Sequence, residues 1–553
     1  MIYPQIPLAQ SIIQICVAKG IKHIVISPGS RNAPLTIGFA NNPEFHCYSI
    51  ADERCAAFFA LGIAQQIQVP VALVCTSGSA LLNYYPAFAE AFYSQIPIIV
   101  ISADRPADKI DIGDGQTIRQ KNVFENHSLF NANLSEEASE QNDNLINEAI
   151  NVAYLKKGPV HINVPFEEPL YQTTDHLSVD PIISAVHRFY KNVSVDDIIA
   201  LTNVWNSATR KLVLVGGNEP EELDADVIEF LAKDPSVVVM TEVTSNVSNA
   251  SFIHNIDAVI TPFTASDFNR LRPELLITFG GMIVSKRIKS FLRTYKPDYH
   301  WHIDPLRAYN TYNLETHHFE CNPSDFFQRI IPYTNDVESD YVEKIGSYVQ
   351  VRKDKHAKFI KSAPFSDFTA IRIIIESLPN NIMFQISNSA PIRYAQLFEV
   401  DSSIAVYCNR GTSGIDGATS TAIGAATASD RQTVFLTGDI GFLYDSNALW
   451  NNYIPKNLKI ILINNGGGGI FRILPGREEN KIFNTYFETE HCLTTEHLAK
   501  MYRFKYLIAS NSDSLERSLE ELYSNDDQPC LLEIFTPTRL NDKVLDDYFA
   551  ALG

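Results

Sequence analysis

The chain contains 553 residues, of which 45% are hydrophobic and 20% charged, and its formal net charge is −19. This length predicts three or four domain-sized units, and the acidic balance argues against nucleic acid as the main partner. No apolar run reaches the roughly 20 residues that span a bilayer, and the first residues lack a signal-peptide pattern, so we expect a cytoplasmic protein without a membrane span.

The first third of the chain alternates short apolar runs with longer amphipathic segments. The apolar runs are typical of buried parallel strands, and segments such as 53–66 and 80–95 are typical of the helices between them. This alternation predicts a doubly wound parallel sheet. The predicted strands are 23–27, 71–77, 96–103 and 159–165.

The same alternation starts again twice along the chain. A charged, helix-like stretch near 336–362 lacks a strand pattern and separates the second set from the third. We therefore expect three doubly wound α/β domains in series, at residues 1–180, 181–340 and 341–553. The predicted strands of the second set are 211–217, 236–242, 275–281 and 299–305, and those of the third set are 381–387, 403–409, 433–439, 458–465 and 530–535.

The eight cysteines are scattered along the chain, and none belongs to a CxxC pair. Most of them lie in apolar runs. This distribution predicts buried thiols in a reducing cytosol rather than disulfides or zinc ligands.

Two strands of the third set end in polar residues. One ends at Gly438 and Asp439, and the other ends at Asn465, before glycines at 466–469. The spacing accommodates one strand–helix–strand crossover, which brings both ends to one edge of the sheet. Carboxylate and amide oxygens suit Mg²⁺, the Gly467 carbonyl can add a third ligand, and bare backbone approaches a diphosphate closely. The sequence predicts a Mg²⁺–diphosphate site, and the alternative is a flexible loop after a core strand.

The pattern of Gly-Asp, a spacer and Asn-Asn resembles the signature of thiamine diphosphate enzymes, although Ile440 replaces the usual glycine after the aspartate. The resemblance implies thiamine diphosphate and Mg²⁺ as cofactors, with Mn²⁺ as a substitute for Mg²⁺. It implies that Asp439, Asn465 and the Gly467 carbonyl bind the metal. The further cofactor contacts that it implies are Gly438, Ser389 and Ile415, the last as a bulky residue that holds the two cofactor rings in a bent conformation.

Glu53 opens the predicted helix at 53–66. The resemblance implies that it is the glutamate that contacts the aminopyrimidine ring of the cofactor. There a carboxylate promotes the imino tautomer, and the imine takes the proton from thiazolium C2. The alternative is a first-turn glutamate that only interacts with the helix dipole.

Six further motifs, in order along the chain, resemble the synthases of menaquinone biosynthesis, a family within the thiamine diphosphate enzymes. Members of this family decarboxylate 2-oxoglutarate and add the resulting four-carbon unit to isochorismate. One departure is Gly115, where some members carry asparagine before the glutamine. The motifs are SPGSRNAPL (27–35), ADRP (103–106), GQTIRQ (115–120), SKR (285–287), SNSAPIR (387–393) and NRGTSGIDGATSTAIG (409–424).

Both substrates of this family carry two carboxylates, so the site needs fixed cations, preferably arginines. By resemblance, Ser389, Arg393 and Arg410 serve the 2-oxoglutarate-derived group. By resemblance, the residues that serve isochorismate are Arg31, Arg105, Lys286 and Arg287, with Gln116 as a catalytic residue near the reacting centre. The further substrate contacts are Ser30 and an apolar wall formed by Ile470, Phe471 and Leu474.

The alternative for each arginine is a surface ion pair, and the sequence leaves it open. Arg105 also fits a turn after a strand, and Arg287 also fits the first turn of a helix that begins near 284. No histidine lies in the matched motifs. Its absence suits an enzyme that keeps its carbanion for carbon–carbon bond formation.

In thiamine diphosphate enzymes the N-terminal domain of one chain faces the C-terminal domain of another, so we expect a homodimer at least, or a dimer of dimers, with active sites between chains. One alternative function is another thiamine diphosphate-dependent 2-oxoacid carboligase or decarboxylase, such as an acetohydroxyacid synthase. The cluster of cations argues against it. A second alternative is a non-catalytic binding or scaffold protein, and the presence of Glu53, Asp439 and Asn465 argues against that function.

Overall fold

The structure, a computed structural model, describes residues 1–186, 195–473, 478–525 and 527–553. Within these residues the chain forms three parallel sheets that are flanked by helices. This arrangement confirms the prediction of three α/β domains in series. The sheets lie within residues 23–165, 211–319 and 383–535, and the finer domain boundaries stay predictions.

The N-terminal domain contains the first large sheet and a small antiparallel pair formed by its first and last strands. Its strands are β1 (Tyr3–Pro4), β2 (His23–Ile26), β3 (His46–Ser49), β4 (Val71–Cys75), β5 (Ile98–Asp104), β6 (Asn131–Asn133), β7 (Val160–Pro165) and β8 (Thr173–Thr174). Its helices are α1 (Pro7–Ala18), α2 (Ala33–Ala40), α3 (Glu53–Ile67), α4 (Ala80–Asn83), α5 (Tyr85–Ser94) and α6 (Glu140–Lys156).

The central domain contains a five-stranded sheet. Its strands are β9 (Lys211–Val215), β10 (Val237–Thr241), β11 (Leu275–Phe279), β12 (Tyr299–Ile303) and β13 (His317–Phe319). Its helices are α7 (Val195–Ser207), α8 (Ala225–Lys233), α9 (Ile256–Ile260), α10 (Ala265–Leu271), α11 (Lys286–Thr294) and α12 (Pro323–Ile330). The charged stretch predicted as a connector forms α13 (Tyr341–Phe359), which packs against both this domain and the last helix of the chain.

The C-terminal domain contains the third sheet. Its strands are β14 (Met383–Ile386), β15 (Ala405–Tyr407), β16 (Thr433–Gly438), β17 (Leu458–Asn464), β18 (Lys505–Ala509) and β19 (Cys530–Phe535). Its helices are α14 (Asp367–Glu376), α15 (Ala390–Ala395), α16 (Ala418–Thr427), α17 (Asp439–Tyr444), α18 (Glu496–Met501), α19 (Ser512–Ser524) and α20 (Asn541–Leu552).

The central strands of each sheet are apolar because helices cover both faces. Every residue of β4, β9 and β17 is buried, as expected for strands inside a parallel sheet. All of the described pairings in β16, β17 and β19 are parallel, so these strands deliver their carboxyl ends to one edge. The core of the domain therefore fixes the position of the polar residues that follow these strands.

Helices α3 and α16 join the N-terminal and C-terminal domains within one chain. They pack so closely that a Cβ at Gly62 would lie 2.1 Å from the carbonyl oxygen of Thr421. A Cβ at Gly424 would lie 2.0 Å from the carbonyl oxygen of Phe59. Glycine at both positions lets the two backbones come together, and the cores of the two domains merge into one apolar cluster there.

Several details of the sequence prediction need correction. Short strands β3, β6, β13 and β18 were not predicted, and the predicted helix at 80–95 is two helices, α4 and α5. All four of these strands lie at sheet edges, where sequence signals are weak. The cysteines form no disulfide, but Cys492 is exposed rather than buried. Among the described residues, no helix has the length and apolar character to cross a membrane.

Candidate active site

Asp439 follows β16 at the carboxyl edge of the C-terminal sheet and is almost fully buried. Its Oδ2 accepts the backbone N–H groups of Gly466 and Gly467 at 2.9 and 3.0 Å, and its Oδ1 accepts the N–H of Ile440 at 2.7 Å. His491 Nε2 lies 3.2 Å from Oδ2, within ion-pair distance but without hydrogen-bond alignment. Burial raises the pKa of Asp439 above its usual range. The predicted neighbourhood of Asp439 and the glycines is therefore correct.

Asn465 follows the adjacent strand β17 and is also buried. Its Nδ2 donates to Asp367 Oδ2 at 2.8 Å, which turns the amide so that Oδ1 is the free acceptor. That Oδ1 has no hydrogen-bond partner among the described residues, although it is buried. A buried acceptor without a partner is costly, and a hard cation would satisfy it. The buried carboxylate and this amide oxygen therefore fit a divalent metal ion.

The glycines after Asn465 are held against a neighbouring segment. Gly466 has a φ of +77°, a left-handed conformation that favours glycine, and its carbonyl accepts the N–H of His491 at 3.0 Å. A Cβ at Gly467 would lie 2.8 Å from the carbonyl oxygen of Glu488. Glu488 is fully buried in an ion pair with Arg472. The glycine run is therefore a packed turn rather than a loose loop.

The other predicted cofactor residues surround the same edge. A Cβ at Gly441 would lie 3.7 Å from the Ile415 Cβ, and a Cβ at Gly438 would lie 4.0 Å from Pro391. Ile415 is half-buried beside α17. Ser389 precedes α15 with a φ of +77°, a strained conformation for a residue with a side chain. Three separate motifs thus meet at the ends of β14, β15 and β16.

Arg393 and Arg410 lie close together in the C-terminal domain. Burial lowers the pKa of Arg393, and the charge of Arg410 lowers it further, because two guanidinium groups face one another. Arg410 Nη1 donates to Asn388 Oδ1 at 2.7 Å, while its Nε is buried without a partner among the described residues. Among the described residues, neither Arg393 nor Arg410 forms an ion pair with a carboxylate. The arrangement is a pair of available forks suited to a carboxylate.

Lys286 and Arg287 begin α11 in the central domain, and Arg287 has contacts toward the C-terminal domain. Arg287 stacks on the Phe549 ring of the C-terminal domain at 5.0 Å. Glu242 accepts the N–H groups of Val284 and Ser285 at 2.6 and 2.7 Å, and burial raises the pKa of Glu242 to about 7.

The buried Asp257 accepts a hydrogen bond from Ser285 Oγ. Burial raises its pKa, and the charges of Arg287 and Arg393 oppose that rise. Both cations therefore lie near one carboxylate at the junction of the central and C-terminal domains.

The N-terminal domain carries a second group of predicted substrate residues. Arg31 is 4% exposed and donates to the Phe166 carbonyl at 2.9 Å and to Glu168 at 3.1 Å. Burial lowers the pKa of Arg31, and the nearby charge of Arg105 lowers it further. Arg105 Nη2 donates to the Gly115 carbonyl at 2.9 Å. Arg31 thus forms an ion pair, as the alternative of a surface ion pair predicted, but the Arg31 side chain is buried rather than at the surface.

Gln116 and Ser30 are exposed residues of this same region. Gln116 has a φ of +56°, and its carbonyl accepts Ser77 Oγ at 2.9 Å. Arg31 N donates to Thr76 Oγ1 at 3.3 Å, so the segments after β2 and β4 are joined. The motifs at 27–35, 103–106 and 115–120 therefore meet at the carboxyl edge of the N-terminal sheet.

Glu53 is the first residue of α3, after the N-cap Asp52, whose side chain accepts the N–H of Cys55. Asn83 Nδ2 approaches Glu53 Oε2 at 3.4 Å. Among the described residues, no hydrogen bond or ion pair joins Glu53 to Asp439 or Asn465. Nor does one join the group around Arg31 to the pair of Arg393 and Arg410. Within one chain, the described residues of the two groups are therefore not in direct polar contact.

Three family models match the chain in series. The N-terminal TPP binding domain of thiamine pyrophosphate enzymes matches residues 6–129, the middle domain matches 185–384, and the C-terminal TPP binding domain matches 390–534. Proteins named 2-succinyl-5-enolpyruvyl-6-hydroxy-3-cyclohexene-1-carboxylate synthase from Flavobacterium johnsoniae and Flavobacterium psychrophilum are each 64% identical, with 100% of both chains covered. The protein of the same name from Porphyromonas gingivalis is 38% identical over 97% of this chain and 95% of its own.

The chain belongs to this synthase family. It is therefore a thiamine diphosphate-dependent transferase, as the motifs predicted. The family match covers all three domains, so it includes both groups of cations.

Sequence reasoning missed several residues of the site. Asp367, which orients Asn465, is buried, and burial raises its pKa to about 6. His491 lies beside Asp439, although no histidine occurs in the matched motifs. Neither residue has a sequence signal, because each comes from a distant segment. Asn388 could have been found, since it lies within the motif at 387–393.

The predicted apolar wall is described in part. Ile470 and Phe471 belong to a short 3₁₀ helix at Gly469–Ile473, directly after the glycines. Phe471 packs edge-on against Phe487 with a ring separation of 6.0 Å. Leu474 lies outside the described residues. Two of the three predicted members therefore directly follow the glycine turn, and their role as a pocket wall stays a prediction.

Proposed function

We propose that this chain decarboxylates 2-oxoglutarate and joins the remaining four-carbon unit to isochorismate, giving 2-succinyl-5-enolpyruvyl-6-hydroxy-3-cyclohexene-1-carboxylate and CO₂ in menaquinone biosynthesis. The observation that carries the proposal is the 64% identity to synthases of this name over the full chain. The C1–C2 bond of 2-oxoglutarate breaks with loss of CO₂, C2 bonds to one carbon of the ring alkene of isochorismate as the alkene π bond breaks, and the neighbouring alkene carbon takes up a proton, with no net oxidation. When bound, thiamine diphosphate supplies the electron sink for the carbon that loses CO₂.

Asp439, Asn465 and the Gly467 carbonyl hold Mg²⁺, or Mn²⁺ in its place. Support comes from the buried Asp439 carboxylate and from Asn465 Oδ1, which lacks a partner among the described residues. The packed glycine turn leaves its backbone close to this edge, where a diphosphate would lie. Gly438, Ile415 and Ser389 complete the cofactor contacts.

Glu53 contacts the aminopyrimidine ring and moves a proton at the ring nitrogen. Its position at the start of α3, with only a long contact to Asn83, leaves the carboxylate available for a ligand. By resemblance to thiamine diphosphate enzymes, Glu53 of one chain faces the metal edge of another chain, so we expect two chains at each active site. The enzyme is a homodimer or a dimer of dimers and acts in the cytoplasm.

The cations divide between the two substrates. Arg393 and Arg410, with Ser389, bind the carboxylates of the 2-oxoglutarate-derived unit. The residues that bind isochorismate are Ser30, Arg31, Arg105, Lys286 and Arg287, with Gln116 near the reacting carbon. The apolar side chains at Ile470, Phe471 and Leu474 exclude water while CO₂ leaves.

Product analysis tests this function. The protein is incubated with thiamine diphosphate, Mg²⁺, 2-oxoglutarate and isochorismate, and mass spectrometry follows the succinyl adduct. Pyruvate replaces 2-oxoglutarate in the control, where we expect little product. A product formed equally well from pyruvate would favour a different 2-oxoacid carboligase.

A further inference from the structure

Glu90 is a buried carboxylate of the N-terminal domain that contacts the C-terminal domain of the same chain. It lies on α5, is 1% exposed, and receives four hydrogen bonds. Its Oε1 accepts Ser94 Oγ at 2.6 Å and the backbone N–H of Gly411 at 2.7 Å. Its Oε2 accepts the N–H and the hydroxyl of Thr412 at 2.6 and 2.7 Å. Three of the four donors belong to the two residues that follow Arg410.

The segment that carries Arg410 is shaped to dock on α5. A Cβ at Gly411 would lie 2.7 Å from the Glu90 carbonyl oxygen and 2.8 Å from Ser94 Oγ, so only glycine allows this approach. On the other side, Asn388 Nδ2 donates to the carbonyls of Asn409 and Gly414 at 2.6 and 2.8 Å. The loop is therefore held at both ends by Asn388 and in the middle by Glu90.

The guanidinium of Arg410 depends on this double support. Its Nη1 donates to Asn388 Oδ1 at 2.7 Å, and its buried Nε has no partner among the described residues. A long side chain that must present one fork to a carboxylate needs a fixed backbone, because small displacements weaken a paired hydrogen bond strongly. Among the described residues, no lysine, arginine or histidine forms an ion pair with Glu90. Its carboxylate is thus committed to the loop.

We propose that Glu90 is a positioning residue for the donor substrate. It fixes the loop 409–414 so that Arg410 meets a carboxylate of 2-oxoglutarate, and it makes donor binding depend on the contact between the N-terminal and C-terminal domains. This inference rests on the role of Arg410 in the proposed function. A carboxylate that served only to join the domains would affect stability and both substrates alike.

The test compares Glu90→Gln with Glu90→Asp and with the control Ser94→Ala, using steady-state kinetics with saturating cofactor and Mg²⁺. Each carboxylate oxygen of Glu90 accepts one backbone N–H, from Gly411 or from Thr412. In Glu90→Gln the NH₂ group replaces one of these oxygens, so at least one backbone N–H of the loop loses its acceptor and faces another donor. We expect the KM for 2-oxoglutarate to rise about tenfold or more, with kcat and the KM for isochorismate within about threefold of wild type. Glu90→Asp should give an intermediate KM, since the carboxylate remains. Ser94→Ala removes one hydrogen bond to Glu90 but leaves the three that Glu90 receives from the loop, so we expect its KM for 2-oxoglutarate to rise far less than that of Glu90→Gln.

Two further variants separate the possible failures. Thr412→Val removes one hydrogen bond from an exposed loop residue, and a KM increase specific to 2-oxoglutarate in this variant supports the proposal even where Glu90→Gln fails to fold. Arg410→Ala and the double variant Glu90→Gln/Arg410→Ala complete a double-mutant cycle. We expect the KM of the double variant for 2-oxoglutarate to be close to that of Arg410→Ala.

An unchanged KM for 2-oxoglutarate in Arg410→Ala would refute the Arg410 assignment and this inference together. A raised KM in Arg410→Ala with a normal KM in Glu90→Gln would overturn the role of Glu90 alone. Parallel losses for both substrates, together with a lower melting temperature, would reduce Glu90 to a structural contact.

Discussion

The N-terminal and C-terminal sheets have the same strand order but carry different chemistry at their edges. The N-terminal order is β3-β2-β4-β5-β7-β6, and the C-terminal order is β15-β14-β16-β17-β19-β18, so each strand has a counterpart at the same position. The fourth strand in these two orders is β5 in the N-terminal sheet and β17 in the C-terminal sheet. Arg105 follows β5, and Asn465 follows β17. The N-terminal sheet therefore carries a cation at this point, and the C-terminal sheet carries an amide side chain.

The buried side chains Asp104 and Asn465, at the ends of these matching strands, differ in how their oxygens are paired. In the N-terminal domain, both oxygens of the buried Asp104 are satisfied, by the N–H of Arg105 at 2.8 Å and by Asn163 at 2.7 Å. In the C-terminal domain, Asn465 Oδ1 has no partner among the described residues. The strand order sets where ligands can lie, and the unpaired Asn465 Oδ1 beside the buried Asp439 supports the metal site that we propose at the C-terminal edge.

We expect the largest effect at Glu53, the first residue of α3, compared with a glutamate at the start of another helix. Glu53→Gln should lower kcat by about a hundredfold or more, because a neutral amide cannot support proton transfer at the pyrimidine ring. The affinity for thiamine diphosphate should stay within about threefold. Glu140→Gln is the matched control, since Glu140 is the first residue of α6 and experiences the same helix dipole. Equal activities of the two variants would reduce Glu53 to a helix-stabilising residue.

The second prediction tests the metal site that we propose at the C-terminal edge and not at the N-terminal edge. Asp439→Ala should weaken Mg²⁺ binding by about tenfold or more and weaken diphosphate binding with it. Titration of thiamine diphosphate at several Mg²⁺ concentrations, followed by protein fluorescence, measures both. The exposed Asp430→Ala provides the control. Unchanged cofactor affinity in Asp439→Ala would remove the metal from this edge.

The third prediction tests how the cations divide between the two domains. Arg393→Ala should raise the KM for 2-oxoglutarate about tenfold, while the KM for isochorismate changes little. Arg372→Ala is the control, since that partly buried arginine pairs with Glu376 on α14 of the same domain. Steady-state kinetics with each substrate varied in turn gives both constants. An effect confined to isochorismate would reverse the assignment of the two substrates.

The smallest expected effect lies at the contact of α3 with α16. Burial raises the pKa of Asp445 to about 7, although Ser420 donates two hydrogen bonds to it and Arg54 lies 3.7 Å away. The native state therefore binds a proton that the unfolded state releases between about pH 4 and 7, and the free energy of unfolding falls as pH rises through this window. In Asp445→Asn this fall should shrink by about 2 kcal/mol between pH 5 and pH 7.

Chemical denaturation of both proteins at pH 5 and pH 7 measures the difference. The comparison uses the change between the two pH values within each protein, so a general loss of stability in the variant does not enter. An identical pH dependence in wild type and Asp445→Asn would mean that Asp445 stays ionised throughout.

The sequence predicted the frame of the molecule and much of its site, for physical reasons that differ along the chain. Buried parallel strands such as β17 are continuous apolar runs, and their polar ends mark the ligand edge, so Asp439 and Asn465 were found together. Short edge strands carry weak patterns and were missed. Asp367, His491 and Glu90 reach the site only through tertiary packing, so no local pattern indicates their contacts.

Mixing two inactive variants tests the central claim that each active site uses Glu53 from one chain and Asp439 from another. Glu53→Gln and Asp439→Ala are co-expressed with different tags, and the doubly tagged enzyme is purified. A mixed dimer then contains one site with both native residues, so activity should recover to about half of wild type per doubly tagged dimer. Activity no higher than that of the separate variants would place Glu53 and Asp439 of one chain in the same site and contradict the account.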